Sequence, residues 1–421
     1  MLNYIHAQVT QDANFYGKTN PLALVGKYGS PLYVYNERIL RQRCREMTHL
    51  VSYPHFQVNY SVKANDNLRL LTIVRDEGLN VDAMSPGEIY VELKAGFAPE
   101  HILYIGNNVS EEEVRYAIDH RVKVSVDSVS QLERYGRLNP GGEVVVRFNP
   151  DVGAGHHEKV VTGGKKTKFG VQKRYIADVK AVLKLYNLRL IGINQHIGSL
   201  FMEGQPYLEG IESLLHIAKQ FEDLEFIDFG GGFGIPYHKQ DGEARLDLAP
   251  LGRALDHTLQ AWVKEYGKNV TFAVEPGRYI VAECGVLLGA VHAVKFNYDI
   301  KYIGTDLGFN VLMRPIMYDS FHDVEIYRSG NRESSRQESV RIVGNICETG
   351  DILAKDRLLP EIVEGDVLGI LDAGAYGFSM SSNYNNRLRP AEVLITESGE
   401  DILIRRRDSF EDLVRHFVSE E

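Results

Sequence analysis

Between residues 56 and 274 the apolar positions follow one repeated arrangement. A short run of β-branched and aromatic residues ends in polar residues or glycine, and a longer stretch follows with apolar residues three and four apart. The short runs are 56–62, 80–84, 102–106, 122–126, 143–148, 190–195, 226–229 and 271–274. Eight strands with intervening helices over about 220 residues have the size and rhythm of a (β/α)8 barrel of the TIM type. Helical periodicity is clearest at 69–76 and 111–119. In Ser85-Pro86-Gly87-Glu88 a serine lies three residues before a glutamate, with proline in the first turn, which predicts a helix start with a capping box. An open doubly wound sheet is the competing arrangement for the same alternation.

The rhythm changes after Arg278. Runs at 286–295, 300–305, 324–327, 340–343, 367–371, 391–395 and 402–405 are strand-like and separated by turn residues. They predict a second, β-rich domain. The segment 22–34 is also strand-like, with Pro31-Leu32-Tyr33-Val34, and is expected to join it. Residues 329–339 are polar throughout and predict an exposed hairpin loop. The expected fold is therefore α/β plus β. Residues 1–35 form an N-terminal segment joining the β domain, 36–278 form the barrel, and 279–421 form the C-terminal β-rich domain.

Composition narrows the function classes. Of 421 residues, 44% are hydrophobic and 25% charged, as in a globular protein. No apolar run approaches the ~20 residues of a membrane span. The net charge of -10, from 47 basic and 57 acidic residues, argues against nucleic-acid binding. Cys44, Cys284 and Cys347 are too scattered for a disulfide framework or a CxxC metal site. Residues 1–14 lack the basic-then-apolar pattern of a signal peptide, so a cytoplasmic protein is expected. The adjacent side chains of His156 and His157 diverge, no carboxylate pattern completes a site, and no metal is expected. The stretch 156–170, with four lysines and three glycines, reads as a mobile loop near the barrel mouth.

Barrels of this kind carry their chemistry at the C-terminal ends of the strands. Those ends bring Lys63, Asp82, Arg147, Asn149, His196, Ser199, the run Gly230-Gly231-Gly232-Phe233-Gly234, and Glu275-Pro276-Gly277-Arg278. A desolvated lysine has a lowered pKa and can condense with an aldehyde. Adjacent glycines after the seventh strand can close backbone N–H groups on a phosphate. A glutamate can hold a pyridinium nitrogen protonated, and a histidine can stack on a flat ring. Taken singly, these residues also read as a rim lysine, a tight turn, an ion pair and a core histidine. Together they predict a pyridoxal phosphate site.

The chain resembles the barrel-type (fold type III) pyridoxal-phosphate decarboxylases, and within them the diaminopimelate decarboxylases. The resemblance runs from about residue 31 to residue 407. It is carried by YSVKAN around Lys63, VGAGHHEKVVTGGKKTKFG at 152–170, QHIGS at 195–199, GGGFG, EPGR at 275–278, RPIMY at 314–318, CETGD at 347–351 and GAYGFSMSSNYN at 374–385. Two departures are Leu200 after Ser199, where the family usually has glutamine, and Ser85-Pro86-Gly87-Glu88-Ile89, where it often reads SGGEL.

The resemblance implies that Lys63 carries the cofactor covalently and that His196 covers one face of its ring. Ser199, Gly232, Gly277 and Arg278 would lie around the phosphate, with Glu275 on the ring nitrogen and Asp82, Arg147, Gly231 and Pro276 also at the cofactor. Arg278, Arg314 and Tyr318 would bind substrate, and Tyr376 would touch cofactor and substrate. Cys347, the implied proton donor, and Glu348 would come from the second subunit of a homodimer. An Arg fork suits a carboxylate and Glu348 suits an ammonium, which favours a substrate with a zwitterionic far end. The expectation is decarboxylation of meso-diaminopimelate to L-lysine, with no nucleic-acid or membrane partner. The alternatives are a decarboxylase of another basic amino acid or carboxylated polyamine, a barrel-type amino-acid racemase, and a non-catalytic cofactor carrier.

Overall fold

The computed structural model describes residues 2–151, 154–155, 167–330 and 336–418. It divides into two compact units. One comprises Arg41–Ile235 and Arg245–Ile280, and the other Met1–Leu40, Pro236–Ala244 and Val281–Glu421.

The first unit is a closed barrel of eight parallel strands: β1 Phe56–Ser61, β2 Asn80–Ala83, β3 Ile102–Ile105, β4 Lys123–Val126, β5 Glu143–Arg147, β6 Arg189–Asn194, β7 Phe226–Asp228 and β8 Thr271–Val274. Each strand pairs with its sequence neighbour, and β8 pairs with β1 to close the ring. Helices between them include α1 Leu68–Asp76, α2 Pro86–Lys94 and α3 Glu111–Asp119. Each observed strand lies within a residue or two of its sequence-predicted run, because a parallel strand covered on both sides needs a continuous apolar run. Leu103, Ile105, Val145 and Ile191 pack inside the ring, with Met84 and Phe226 against them. The open doubly wound sheet is excluded by closure.

Helix α2 starts where its serine predicts. Ser85 Oγ accepts from Glu88 N at 3.2 Å, and Pro86 opens the first turn. The reciprocal half of the capping box is different. Glu88 Oε2 accepts from Met84 N at 2.6 Å, one residue before the cap.

The second unit carries a ten-stranded, mostly antiparallel sheet. Its spine is the 13-residue strand Gly285–Asn297, which pairs with Leu32–Asn36, Ile300–Thr305 and Val367–Ile370. The N-terminal contribution is thus a real strand, but not over 22–34. Pro21–Tyr28 is a helix, with Pro21 in its first turn and Asn20 Oδ1 accepting from Ala23 N at 2.9 Å. The described strands on either side of the polar stretch 329–339 do not pair with each other, and 331–335 lie outside the described residues. Val324–Ser329 pairs with Leu2–His6 and Val367–Ile370, whereas Gln337–Val343 pairs with Ile300–Thr305 and Ile352–Pro360. Ile352–Pro360 escaped the sequence pattern because Lys355, Asp356 and Arg357 interrupt its apolar run. Asp356 takes a left-handed φ of 51° there, beside a break in register. Pro236–Ala244, which falls inside the predicted barrel range, groups with this second unit.

Candidate active site

The barrel strands end in a ring of charged and small residues. Lys63 sits half-buried in a one-turn 3-10 segment, Val62–Ala64, directly after β1. Asp82 on β2 is fully buried and lies opposite Ser61 in the register of β1 and β2. Ser61 Oγ donates to Asp82 Oδ2 at 2.7 Å. Burial pushes the Asp82 carboxyl up to about 7, opposed by the charge of Lys63 and the Ser61 hydrogen bond. Its other oxygen, Oδ1, is buried with no hydrogen-bond partner among the described residues.

Glu275, just after β8, is buried too. Burial and the neighbouring Asp228 and Asp82 drive its carboxyl well above the usual range, against the pull of Lys63 and Arg147. Its Oε1 has no hydrogen-bond partner among the described residues. Arg147 at the end of β5 is buried, with its guanidinium 4.7 Å from the Phe169 ring centroid. The burial lowers its pKa, and the carboxyls of Glu275, Asp127 and Asp82 oppose that effect.

His196 follows β6. Gly231 N donates to its Nδ1 at 3.0 Å, so that nitrogen presents its lone pair and the neutral ring carries its proton on Nε2. Burial, Lys63 and Arg147 hold the His196 pKa well below its ordinary value, which keeps the imidazole neutral. Its Nδ1 lies 3.9 Å from Glu275 Oε2.

The glycine run packs against this wall. A Cβ on Gly231 would come within 2.0 Å of the Glu275 carbonyl oxygen, and one on Gly232, at φ 107°, within 2.7 Å of the Gly198 carbonyl oxygen. Gly230 N donates to Asp228 Oδ1 at 2.8 Å. The first two N–H groups of the run are therefore engaged inside the protein, not left open for an anion as the glycines alone suggested. Across from it, Arg278 Nη2 donates to Ser199 Oγ at 3.0 Å. Pro276 O accepts from Ser61 N at 3.4 Å and Gly277 O from Ile280 N at 3.1 Å, so the turn after β8 is tied to both sides. Lys63 lies within electrostatic reach of Asp82, Glu88, His196 and Glu275.

The second unit holds the remaining expected residues. Arg314 and Tyr318 open and close the short helix Arg314–Tyr318. Arg314 is buried and Tyr318 half-buried. Cys347 is exposed, not a buried core thiol. Its N–H donates to Asn385 Oδ1 at 3.1 Å, and Asn385 Nδ2 donates to its Sγ at 3.3 Å. Tyr384 OH donates to Glu348 Oε1 at 2.7 Å. Tyr376 has a left-handed φ of 56°, unusual for an aromatic residue. Conformations of this kind cost about 1–3 kcal/mol and cluster at functional sites. His156 and His157, with most of the 156–170 stretch, lie outside the described residues. No cluster of three metal-ligating side chains occurs among the described ones.

Residues 37–282 match the family described as pyridoxal-dependent decarboxylase, pyridoxal binding domain. The chain is 44% identical to a diaminopimelate decarboxylase of Methanothermobacter thermautotrophicus over 408 residues, covering 95% of this chain and 94% of that one. It is 34% identical to the Escherichia coli diaminopimelate decarboxylase, with 94% and 95% covered. This chain belongs to the diaminopimelate decarboxylase family. Among solved structures, diaminopimelate decarboxylase from Helicobacter pylori in complex with L-lysine superposes with a TM-score of 0.86 at 30% identity, covering 94% of this chain and 98% of that one.

The barrel end suits the pyridoxal phosphate that this family uses. Asp82 Oδ1 and Glu275 Oε1 are buried acceptors with no partner among the described residues, and the glycine run leaves no room for side chains beside Glu275. Three polar neighbours of these groups were not among the sequence-predicted site residues. Asp228 on β7 is fully buried, accepts from Asn59 Nδ2 at 2.8 Å, and is raised by burial to about 6. Asn59 on β1 and Glu88 on α2 complete the set. Polar residues inside an otherwise apolar strand, as in Gln57-Val58-Asn59 and Ile227-Asp228-Phe229, were the signal available.

Proposed function

We propose that this chain decarboxylates meso-diaminopimelate to L-lysine and carbon dioxide with pyridoxal 5'-phosphate, the step that ends lysine biosynthesis. The observation that carries the reading is near full-length identity to diaminopimelate decarboxylases, combined with a barrel end bearing Lys63, His196 and Glu275. Bound pyridoxal phosphate supplies an aldehyde for the substrate amine and an electron sink for loss of the carboxylate.

The chain's own residues supply the rest. Lys63 holds the cofactor covalently. The neutral His196 ring covers its face. Glu275, buried just after β8, would partner the ring nitrogen and hold a proton on it. Asp82, Arg147, Gly231 and Pro276 complete the cofactor pocket, with Ser199, Gly232, Gly277 and Arg278 at the phosphate. Arg278, Arg314 and Tyr318 bind the substrate, the two arginines holding its distal carboxylate, and Tyr376 meets both cofactor and substrate. In a homodimer with shared sites, Cys347 protonates the substrate carbon after carbon dioxide leaves, and Glu348 takes the distal ammonium. A cytoplasmic location fits such an enzyme. Among the described residues no helix is long and apolar enough to cross a membrane.

The test is a turnover assay with added pyridoxal phosphate on meso-diaminopimelate, ornithine, arginine and lysine separately. Lysine and carbon dioxide from diaminopimelate alone is the expected result. Carbon dioxide from another substrate discards the substrate assignment, and epimerised substrate without carbon dioxide points to a racemase.

A further inference from the structure

The Arg314 guanidinium is caged by two aromatic rings of its own unit. His322 Nε2 lies 2.7 Å from Arg314 Nη1, and His322 Nδ1 lies 2.7 Å from the Leu371 carbonyl oxygen. A carbonyl oxygen only accepts, so Nδ1 carries the ring proton. A second proton on Nε2 would set donor against donor. The imidazole is therefore neutral, and its Nε2 lone pair accepts from Arg314. The anchor itself is rigid: Leu371 N donates to Asp323 O at 3.0 Å, next to the strand pair Val324 and Ile370. Tyr237 closes the cage. Arg314 lies 4.6 Å from the Tyr237 ring centroid, and the Tyr237 and His322 rings meet edge to face at 5.3 Å. Arg314 is 2% exposed and His322 3%.

A neutral acceptor orients a guanidinium without neutralising it. A carboxylate in the same place would compete with a carboxylate ligand for the charge. We propose that His322 is a positioning residue for substrate recognition. Its uncharged imidazole fixes the Arg314 fork for the distal carboxylate of the substrate, and so contributes to the preference for a substrate that has one. This rests on the reading of Arg314 given under the proposed function.

The test uses the pyridoxal phosphate holoenzyme. His322→Asn keeps a donor for the Leu371 carbonyl and loses the acceptor facing Arg314. His322→Gln and His322→Met have similar reach, but only glutamine offers an oxygen there. The expected result for His322→Asn is a KM for meso-diaminopimelate raised about tenfold with kcat within about twofold of the parent. Glutamine recovers most of the loss and methionine does not. Inhibition by cadaverine, a diamine that lacks the distal carboxylate, stays unchanged throughout. An unchanged KM in His322→Asn alongside a raised KM in Arg314→Lys overturns the inference and leaves the Arg314 reading standing. Unchanged KM in both discards that reading and the inference with it. A cadaverine inhibition constant that rises in step with KM marks a general disruption and also overturns it. Where His322→Asn yields no holoenzyme, equal KM values for the glutamine and methionine variants do the same.

Discussion

Glu92 lies on α2, fully buried, and neither of its carboxyl oxygens has a hydrogen-bond partner among the described residues. Burial, reinforced by the charges of Asp82 and Glu88, pushes its pKa from the usual 4.5 up to about 10. In the unfolded chain the same carboxyl loses its proton above pH 4.5. Between those two values the unfolded state binds fewer protons than the folded one, so stability falls as pH rises through the window. At pH 7 the folded side chain is neutral. The cost there is about 3.5 kcal/mol, from roughly 2.5 pH units at about 1.4 kcal/mol each.

Glu92→Met keeps the length and helix preference of the side chain and removes the ionisation. The variant should be more stable than the parent at pH 7 by about 3.5 kcal/mol, before any packing difference. The gain should grow by about 1.4 kcal/mol per pH unit from pH 5 to pH 8. Denaturant unfolding of both holoenzymes at four pH values in that range measures it. A stability difference that does not change with pH would refute the reasoning, because it would mean that Glu92 ionises equally in both states.

Two further outcomes are expected. Gly231→Ala forces a Cβ to within 2.0 Å of the Glu275 carbonyl oxygen, so the loop must shift. Equilibrium dialysis should show weakened pyridoxal phosphate binding and the holoenzyme should melt earlier, and retention of parental affinity would count against the packing argument. Leu200, where the family usually has glutamine, has a left-handed φ of 64°, a conformation that costs a leucine about 1–2 kcal/mol. Leu200→Asn should raise stability by up to about 1 kcal/mol, read by thermal melting, since asparagine tolerates that region.

The barrel was legible because its strands are buried on both sides. Each reads as a short continuous apolar run broken by helix-period stretches, and the eight ends brought Lys63, Asp82, Arg147, His196 and Glu275 forward by chain position alone. The second unit was less legible. Its strands pair over long sequence distances, as Leu32–Asn36 does with Gly285–Asn297 and Ala391–Ile395, and local pattern carries no record of such partners. Local pattern therefore extends a strand-like segment over 22–34 and predicts a hairpin loop at 329–339.

The sequence by itself determined the alternation of elements, the residue types at the strand ends and the family resemblance. Those follow from short-range periodicity and from chemistry written in side-chain identity. Only the tertiary structure decided protonation and orientation. Burial raises Asp82, Asp228 and Glu275, from β2, β7 and the turn after β8, and the charges of neighbouring carboxyls add to it for Asp82 and Glu275. His196 and His322 are each held to one tautomer by a backbone partner far away in the chain, Gly231 N for the first and the Leu371 carbonyl for the second. Desolvation and hydrogen-bond direction depend on what surrounds a side chain, and that environment exists only once distant segments have packed.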